Sequence, residues 1–184
     1  MYKISDNPQV NYSLRELSKG LFHFLKTMPL SKVTVSQLCA QAGITRRTFY
    51  RNCREKKDLV LYACDDLIDS LLDSSDLFST NAELMYSHFF EFWYGHRAFL
   101  SAVCGNDLAG LFVSRFVSHV NDRMCFPLQE KAAEKAEDAG RLRRFSNAFL
   151  LGGFAQMLIS WTQEGFETPP RKMAETILYL VPNS

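Results

Sequence analysis

Long apolar runs are missing from this sequence of 184 residues. A helix that crosses a bilayer needs about 20 consecutive apolar residues, and the opening stretch MYKISDNPQV has no apolar block of the secretory type. We therefore expect a soluble, cytoplasmic protein.

Cysteine is sparse, and patterns typical of catalysis are lacking. The five cysteines are odd in number and never spaced as CxxC, which argues against a disulfide framework and a zinc site. Phosphate-binding glycine loops, GxSxG and HExxH are lacking too. We therefore expect no metal, no cofactor and no enzyme, because a helical enzyme would need a reactive constellation that the sequence does not offer.

The alternation of apolar and polar residues that marks β-strands is also missing. Apolar residues instead recur at three- and four-residue steps, and glycines and prolines separate these segments. The sequence predicts an all-α fold of about nine helices, with a three-helix head in residues 1–55 and a helical body in residues 56–184.

Helix-capping patterns divide the head into two short helices behind a longer one. Capping boxes are predicted at Ser13 and Thr34, and another at Thr80 opens an aromatic helix of the body. Gly43 supplies a left-handed turn, and Thr45 caps the helix that follows. This arrangement predicts a helix-turn-helix unit.

The net charge of +1 conceals an uneven distribution. Residues 1–60 hold eleven Lys or Arg against four Asp or Glu, a balance of +7, and the remainder carries −6. A basic head on an acidic body favours binding of the head to a polyanion such as nucleic acid.

The third helix concentrates this charge on one side. At 100° per residue, Phe49 and Cys53 fall close together and predict a buried anchor. An adjoining arc of about 140° carries Arg46, Arg47, Tyr50 and Arg51. Arginine can read guanine in the major groove, and tyrosine can hold phosphates. A solvated cationic face is the plainer alternative.

The stretch VTVSQLCAQAGITRRTFYRNCREKKDLV resembles the helix-turn-helix signature of the tetracycline-repressor (TetR) family. With the first helix, the resemblance covers about residues 11–62. Asn52 and Cys53 depart from the usual His-Phe, and Arg47 occupies a position that is often small. The matching positions are Thr34–Val35, Ala42–Gly43, Thr48–Phe49–Tyr50, Lys56 and Leu59.

The resemblance implies a homodimer that binds an inverted-repeat operator in double-stranded DNA and responds to a small-molecule effector. It assigns Tyr50 and Lys56 to phosphates. The other residues it implies are Thr34 and Ser36 near the backbone, and Arg46, Arg47 and Thr48 at or beside the bases. Thr45, which caps the third helix, and Arg51, on its basic arc, complete the candidate DNA-binding residues.

The body is rich in aromatic residues, most of which we expect to form core. The run FFEFWY is apolar around nearly its whole circumference, which also suits the wall of a cavity. The candidate effector pocket consists of Phe89, Trp93, Phe99, Phe112 and Phe116.

Near the end, small residues stand among large apolar ones in FSNAFLLGGFAQMLISW. This pattern predicts a helix buried on two sides, either within its own core or between its own core and a two-fold partner. The resemblance implies the second. The candidate dimer residues are Phe149, Gly152, Gly153, Gln156, Ile177 and Val181.

Four aspartates, Asp65, Asp66, Asp69 and Asp73, form an acidic stripe for which we expect a solvated face rather than a metal site.

Together these features predict a dimeric, ligand-responsive transcriptional repressor that its effector releases from DNA. The alternative is a coactivator of the same fold that binds proteins instead of DNA.

Overall fold

The computed structural model describes Tyr2, residues 7–74, Leu77, and residues 81–123 and 139–180. The regular secondary structure of these residues is helical, which confirms the predicted all-α fold. The head contains α1 (Pro8–Leu25), a 3-10 turn (Leu30–Lys32), α2 (Val35–Ala42) and α3 (Arg46–Asn52). The body contains α4 (Lys57–Leu72), α5 (Ala82–Gly95), α6 (Arg97–Cys104), α7 (Ala109–Arg123), α8 (Ala139–Gln163) and α9 (Pro170–Leu180).

The predicted turn between α2 and α3 is confirmed. Thr34 caps α2 through a capping box, in which its hydroxyl accepts from the Gln37 amide and its own amide donates to the Gln37 side chain. Gly43 ends α2 with a φ of 65°, where a residue with a Cβ would be strained. Thr45 then caps α3 by accepting from the Thr48 amide at 3.2 Å.

Of the other two predicted caps, the one at Ser13 is wrong and the one at Thr80 cannot be tested. Helix α1 begins at Pro8 rather than beyond Ser13, because the Asn7 side chain accepts from the Gln9 amide and proline suits the first helical position. The Ser13 hydroxyl instead donates to the Gln9 carbonyl inside the helix. Asn81 caps α5. Thr80 lies outside the described residues, as do residues 129–138 of a further helix that the sequence pattern predicts over residues 129–139.

Helix α4 connects the head to the rest of the body. It packs against α1 on one side and α7 on the other, while α8 packs on α6 and α7, and α9 on α5. The buried Ser18 hydroxyl of α1 donates to the Leu59 carbonyl of α4 at 3.2 Å. Buried apolar residues run continuously from the head into the body, so α4 joins the two through a shared core.

Within the described residues, the longest and most apolar helices still fall short of what a membrane crossing requires.

Candidate nucleic-acid interface

The basic side of α3 faces solvent, as the helical wheel predicts. Arg46, Arg47 and Arg51 are exposed, and Tyr50 is 55% exposed. Phe49 on the opposite side is 0% exposed. The helix is therefore anchored by one side while three guanidinium groups and a phenol remain available.

Asn52 and Cys53, which stand where the family usually has His-Phe, both point into the head. Asn52 and Cys53 are 3% and 2% exposed, so the exposed face of α3 does not include them. The Cys53 amide donates to the Phe49 carbonyl at 2.8 Å and ends the helix. Burial raises the pKa of the Cys53 thiol to about 12, which keeps it protonated and unreactive near neutral pH.

The hydroxyl side chains beside this face already have partners within the head. The Thr45 and Thr48 hydroxyls lie 3.0 Å apart, and the Thr34 hydroxyl contacts the Gln37 side chain at 2.8 Å. Ser36 is exposed in the first turn of α2. The threonines therefore set the positions of the α2 and α3 N-termini, and their contact with DNA stays a prediction.

Lys56 is half-buried and turned towards the protein. Its ammonium group donates to the Leu30 carbonyl at 2.7 Å and the Val33 carbonyl at 2.5 Å. At most one of the three ammonium N–H groups remains for another acceptor. The family resemblance assigns this lysine to a phosphate, and no pattern in the sequence indicated these carbonyl partners.

The five candidate effector residues form one aromatic cluster between α5, α6 and α7. Each is at most 9% exposed, and the Trp93 ring centroid lies 5.5 Å from that of Phe112 and 6.2 Å from that of Phe116. Phe99 and Phe89 extend the cluster at its two ends. The Trp93 indole N–H is buried and has no hydrogen-bond partner among the described residues. Whether an effector enters here stays a prediction.

The candidate dimer residues on α8 form an exposed surface. Phe149 is 80% exposed, Gly153 and Gln156 are exposed, and Gly152 is half-exposed. Ile177 differs, because it is 5% exposed within its own chain, and Val181 lies outside the described residues.

Three further large apolar residues are exposed on α8 and α9 and are not among the candidate dimer residues named from the sequence. Phe145 on α8 is 60% exposed, and Tyr179 and Leu180 on α9 are 87% and 63% exposed. The four-residue spacing of Phe145 and Phe149 is the signal that would have found the first of them. We call Phe145, Phe149, Tyr179 and Leu180 the carboxyl-terminal apolar residues.

Asp65, in the acidic stripe of α4, is buried and paired, which corrects the expectation of a solvated face at that position. Asp65 is 4% exposed and binds Arg115 of α7 with both carboxylate oxygens, at 2.6 and 2.5 Å. The Tyr2 hydroxyl also donates to Asp65. Further pairs follow along the two helices: His119 contacts Asp69 at 2.8 Å, and Arg123 contacts Asp69 and Asp73 at 3.1 Å. We call this series of contacts between α4 and α7 the ladder.

This ladder joins α4 to α7 by charge as well as by packing. The Asp65 carboxylate, through its hydrogen bonds and its charge, holds the pKa of Arg115 above its usual value. For Tyr2, burial first and then the bond to Asp65 raise the pKa above its usual value. Among the described residues, no three or more His, Cys, Asp or Glu side chains are grouped so that they could hold a metal ion.

Comparison with known families places residues 80–183, more than half of the chain, in a TetR-type family described as "Transcriptional regulator C-terminal region". No curated protein matches the chain.

Several solved structures share the fold over nearly their whole lengths. Lin0861 from Listeria innocua is 13% identical with a TM-score of 0.71, covering 97% of this chain and 93% of its own. A TetR transcriptional regulator from Streptococcus agalactiae 2603V is 19% identical with a TM-score of 0.65, covering 95% and 96%. The fatty acid degradation regulator FadR from Bacillus halodurans is 12% identical with a TM-score of 0.55, covering 96% of both chains. At such low identities these matches support the fold alone.

Proposed function

Because the chain belongs to the TetR family of transcription regulators, we propose that it acts as a homodimeric repressor that a small-molecule effector releases from an inverted-repeat operator. The family consists of transcription factors without enzymatic activity, which confirms the prediction that this chain is not an enzyme.

The observation that carries the DNA-binding proposal is the exposed side of α3. Arg46, Arg47 and Arg51 project from a helix that Phe49 anchors in the head. An α-helix fits the major groove, where arginine can donate two hydrogen bonds to guanine. Tyr50, exposed on the same side, would donate to a phosphate in such a complex.

Dimerisation is supported by the carboxyl-terminal apolar residues. Large apolar side chains at 60 to 87% exposure are costly to leave in water, and their contact with a second copy would remove that cost. A two-fold dimer would present two α3 helices to half-sites about one helical turn, or a multiple of it, apart.

The aromatic cluster supports a hydrophobic or partly aromatic effector. The rings contact one another in the structure, so an effector would have to separate α5, α6 and α7 to enter. The Trp93 indole N–H inside the cluster has no partner among the residues that the structure describes, which favours an effector with one hydrogen-bond acceptor. Repression would be relieved to the extent that the effector binds the separated state more tightly.

Selection of bound duplexes from a random pool tests the proposal, and an enriched inverted repeat is the expected result. If each head neutralises about four phosphates, log K should fall against log salt with a slope of about −7. Arg47→Ala should cost about 1–3 kcal/mol at one base pair. Arg171→Ala, in an exposed body residue, serves as the charge-matched control and should leave binding unchanged.

Failure of the wild-type protein to bind any duplex in a salt-dependent way would contradict the proposal. That outcome would favour the coactivator alternative, in which the fold binds another protein.

A further inference from the structure

Both backbone groups of Leu30, at the start of the 3-10 turn, are held by side chains from outside the turn. The Leu30 carbonyl accepts from the Lys56 ammonium at 2.7 Å, and the Leu30 amide donates to the Asn106 side chain at 2.8 Å. Lys56 also reaches the carbonyl of Val33, the residue that precedes the α2 cap, at 2.5 Å. The segment that leads into the helix-turn-helix is therefore fastened to the N-terminus of α4 and to the body.

Asn106 is itself fixed in orientation. Its side-chain amide donates to the Ala102 carbonyl at 2.8 Å, which leaves its oxygen directed at the head. The turn between α6 and α7 that carries it is tightly shaped, because Asp107 has a φ of 56° and a Cβ at Gly105 would lie 3.1 Å from the Ser101 carbonyl. A defined turn of the body thus presents a defined acceptor to the head.

A second contact follows the same route. Phe99 of α6 meets Phe22 of α1 with ring centroids 5.0 Å apart, and Phe99 belongs to the aromatic cluster. Helix α6 and the turn after it therefore contact the head at two points, one apolar and one polar.

We propose that Lys56 and Asn106 are positioning residues for DNA binding. They set where the N-terminus of α2, and with it the exposed side of α3, stands relative to α4 and the body. Neither residue contacts DNA. For Lys56 this replaces the phosphate contact that the family resemblance implies, since two of its three ammonium N–H groups already donate to carbonyl oxygens of the head. The inference rests on the proposed DNA-binding function.

The salt dependence of binding separates the two roles of Lys56. Loss of a phosphate contact in each of two heads should reduce the salt slope by about 2, since each phosphate contributes about 0.9. A positioning role predicts at least about tenfold weaker binding of Lys56→Met, equivalent to one charge-assisted hydrogen bond, with an unchanged slope. Lys57→Met removes the charge of the exposed neighbouring lysine and should have a much smaller effect.

Asn106→Leu extends the test to a residue of the body. It removes an ordinary hydrogen bond, so we expect about fivefold weaker binding with an unchanged slope. Should Lys56→Met fail to fold, Asn106→Leu provides the same readout on its own.

Half-site spacing distinguishes positioning from a general loss of stability. The selected operator and a version with one inserted base pair are compared well below the melting temperature. Both variants should discriminate between these duplexes at least about threefold less than the wild type, because the heads are less firmly placed. A variant that was only less stable would keep the wild-type ratio.

A slope reduced by about 2 in Lys56→Met, or unchanged spacing preference in both variants, would overturn the inference. If the wild-type protein binds no duplex, the proposed function fails first and this inference falls with it.

Discussion

Replacing Phe149 with alanine should weaken self-association about thousandfold. Phe149 is 80% exposed, which for an aromatic side chain of about 200 Å² corresponds to about 160 Å² of surface per chain. At about 25 cal/mol per Å², complete cover in two chains would be worth about 8 kcal/mol. Part of this is offset by the ordering of side chains at the interface, and alanine keeps part of the contact. About half, or 4 kcal/mol, therefore remains as the expected loss, a factor of about a thousand in the dissociation constant.

Sedimentation equilibrium over a dilution series measures the effect directly. Tyr12→Ala is the matched control, because Tyr12 is an aromatic residue with 62% exposure in the head, away from α8 and α9. Circular dichroism should show that both variants keep the helical content of the wild type. A monomeric wild-type protein at micromolar concentration, or equal dissociation constants for the two variants, would refute the reasoning.

Three further predictions concern the interior. Asp65→Asn should lower the free energy of unfolding by about 3 kcal/mol in urea titrations, because it leaves the half-buried Arg115 without its carboxylate. Asp73→Asn should lower it by at most about 1 kcal/mol, because Asp73 and its partner Arg123 are 71% and 46% exposed. Equal losses in the two variants would contradict the assigned ion pairs. Trp161→Phe removes an indole donor that binds the Thr168 carbonyl at 2.7 Å, whereas Trp93→Phe removes one that has no partner among the described residues. Thermal melts should therefore show the Trp161→Phe variant to be about 1 kcal/mol less stable than the Trp93→Phe variant. The reverse order would be inconsistent with the structure. The Cys53 thiol has a pKa of about 12 in the folded protein and about 8.5 when unfolded, so its stabilising contribution is complete below about pH 8.5 and is lost as the pH rises towards 12; Cys53→Ala should flatten the decline of stability between those values, and an unchanged pH profile would count against this.

The local structure of the head could be predicted because each signal lies within a few residues. Thr34 and Gln37 are three positions apart, and Gly43 needs no distant contact to adopt its left-handed turn. The exposed side of α3 follows from the helical period once Phe49 is identified as the anchor. Only the start of α1 was misplaced, because Ser13 carries the same local pattern as a true cap while Asn7 with Pro8 carries a better one.

The contacts between helices could not be predicted in the same way. Asp65, Asp69 and Asp73 recur at four-residue steps, and so do Arg115, His119 and Arg123 on α7. Periodicity alone does not say which helices are neighbours. The carbonyl partners of Lys56 could not be predicted for the same reason, because they depend on where the 3-10 turn lies relative to α4.

The placement of the two tryptophans makes the body its own optical reporter. Trp93 and Trp161 are the whole tryptophan content of the chain, and they are 0% and 1% exposed within the body. Tryptophan fluorescence excited at the red edge therefore comes from the interior of the body, because the helix-turn-helix contains no tryptophan. A change in emission when duplex is added, without any effector, would be a signal carried from the head into the body, observable without an attached label.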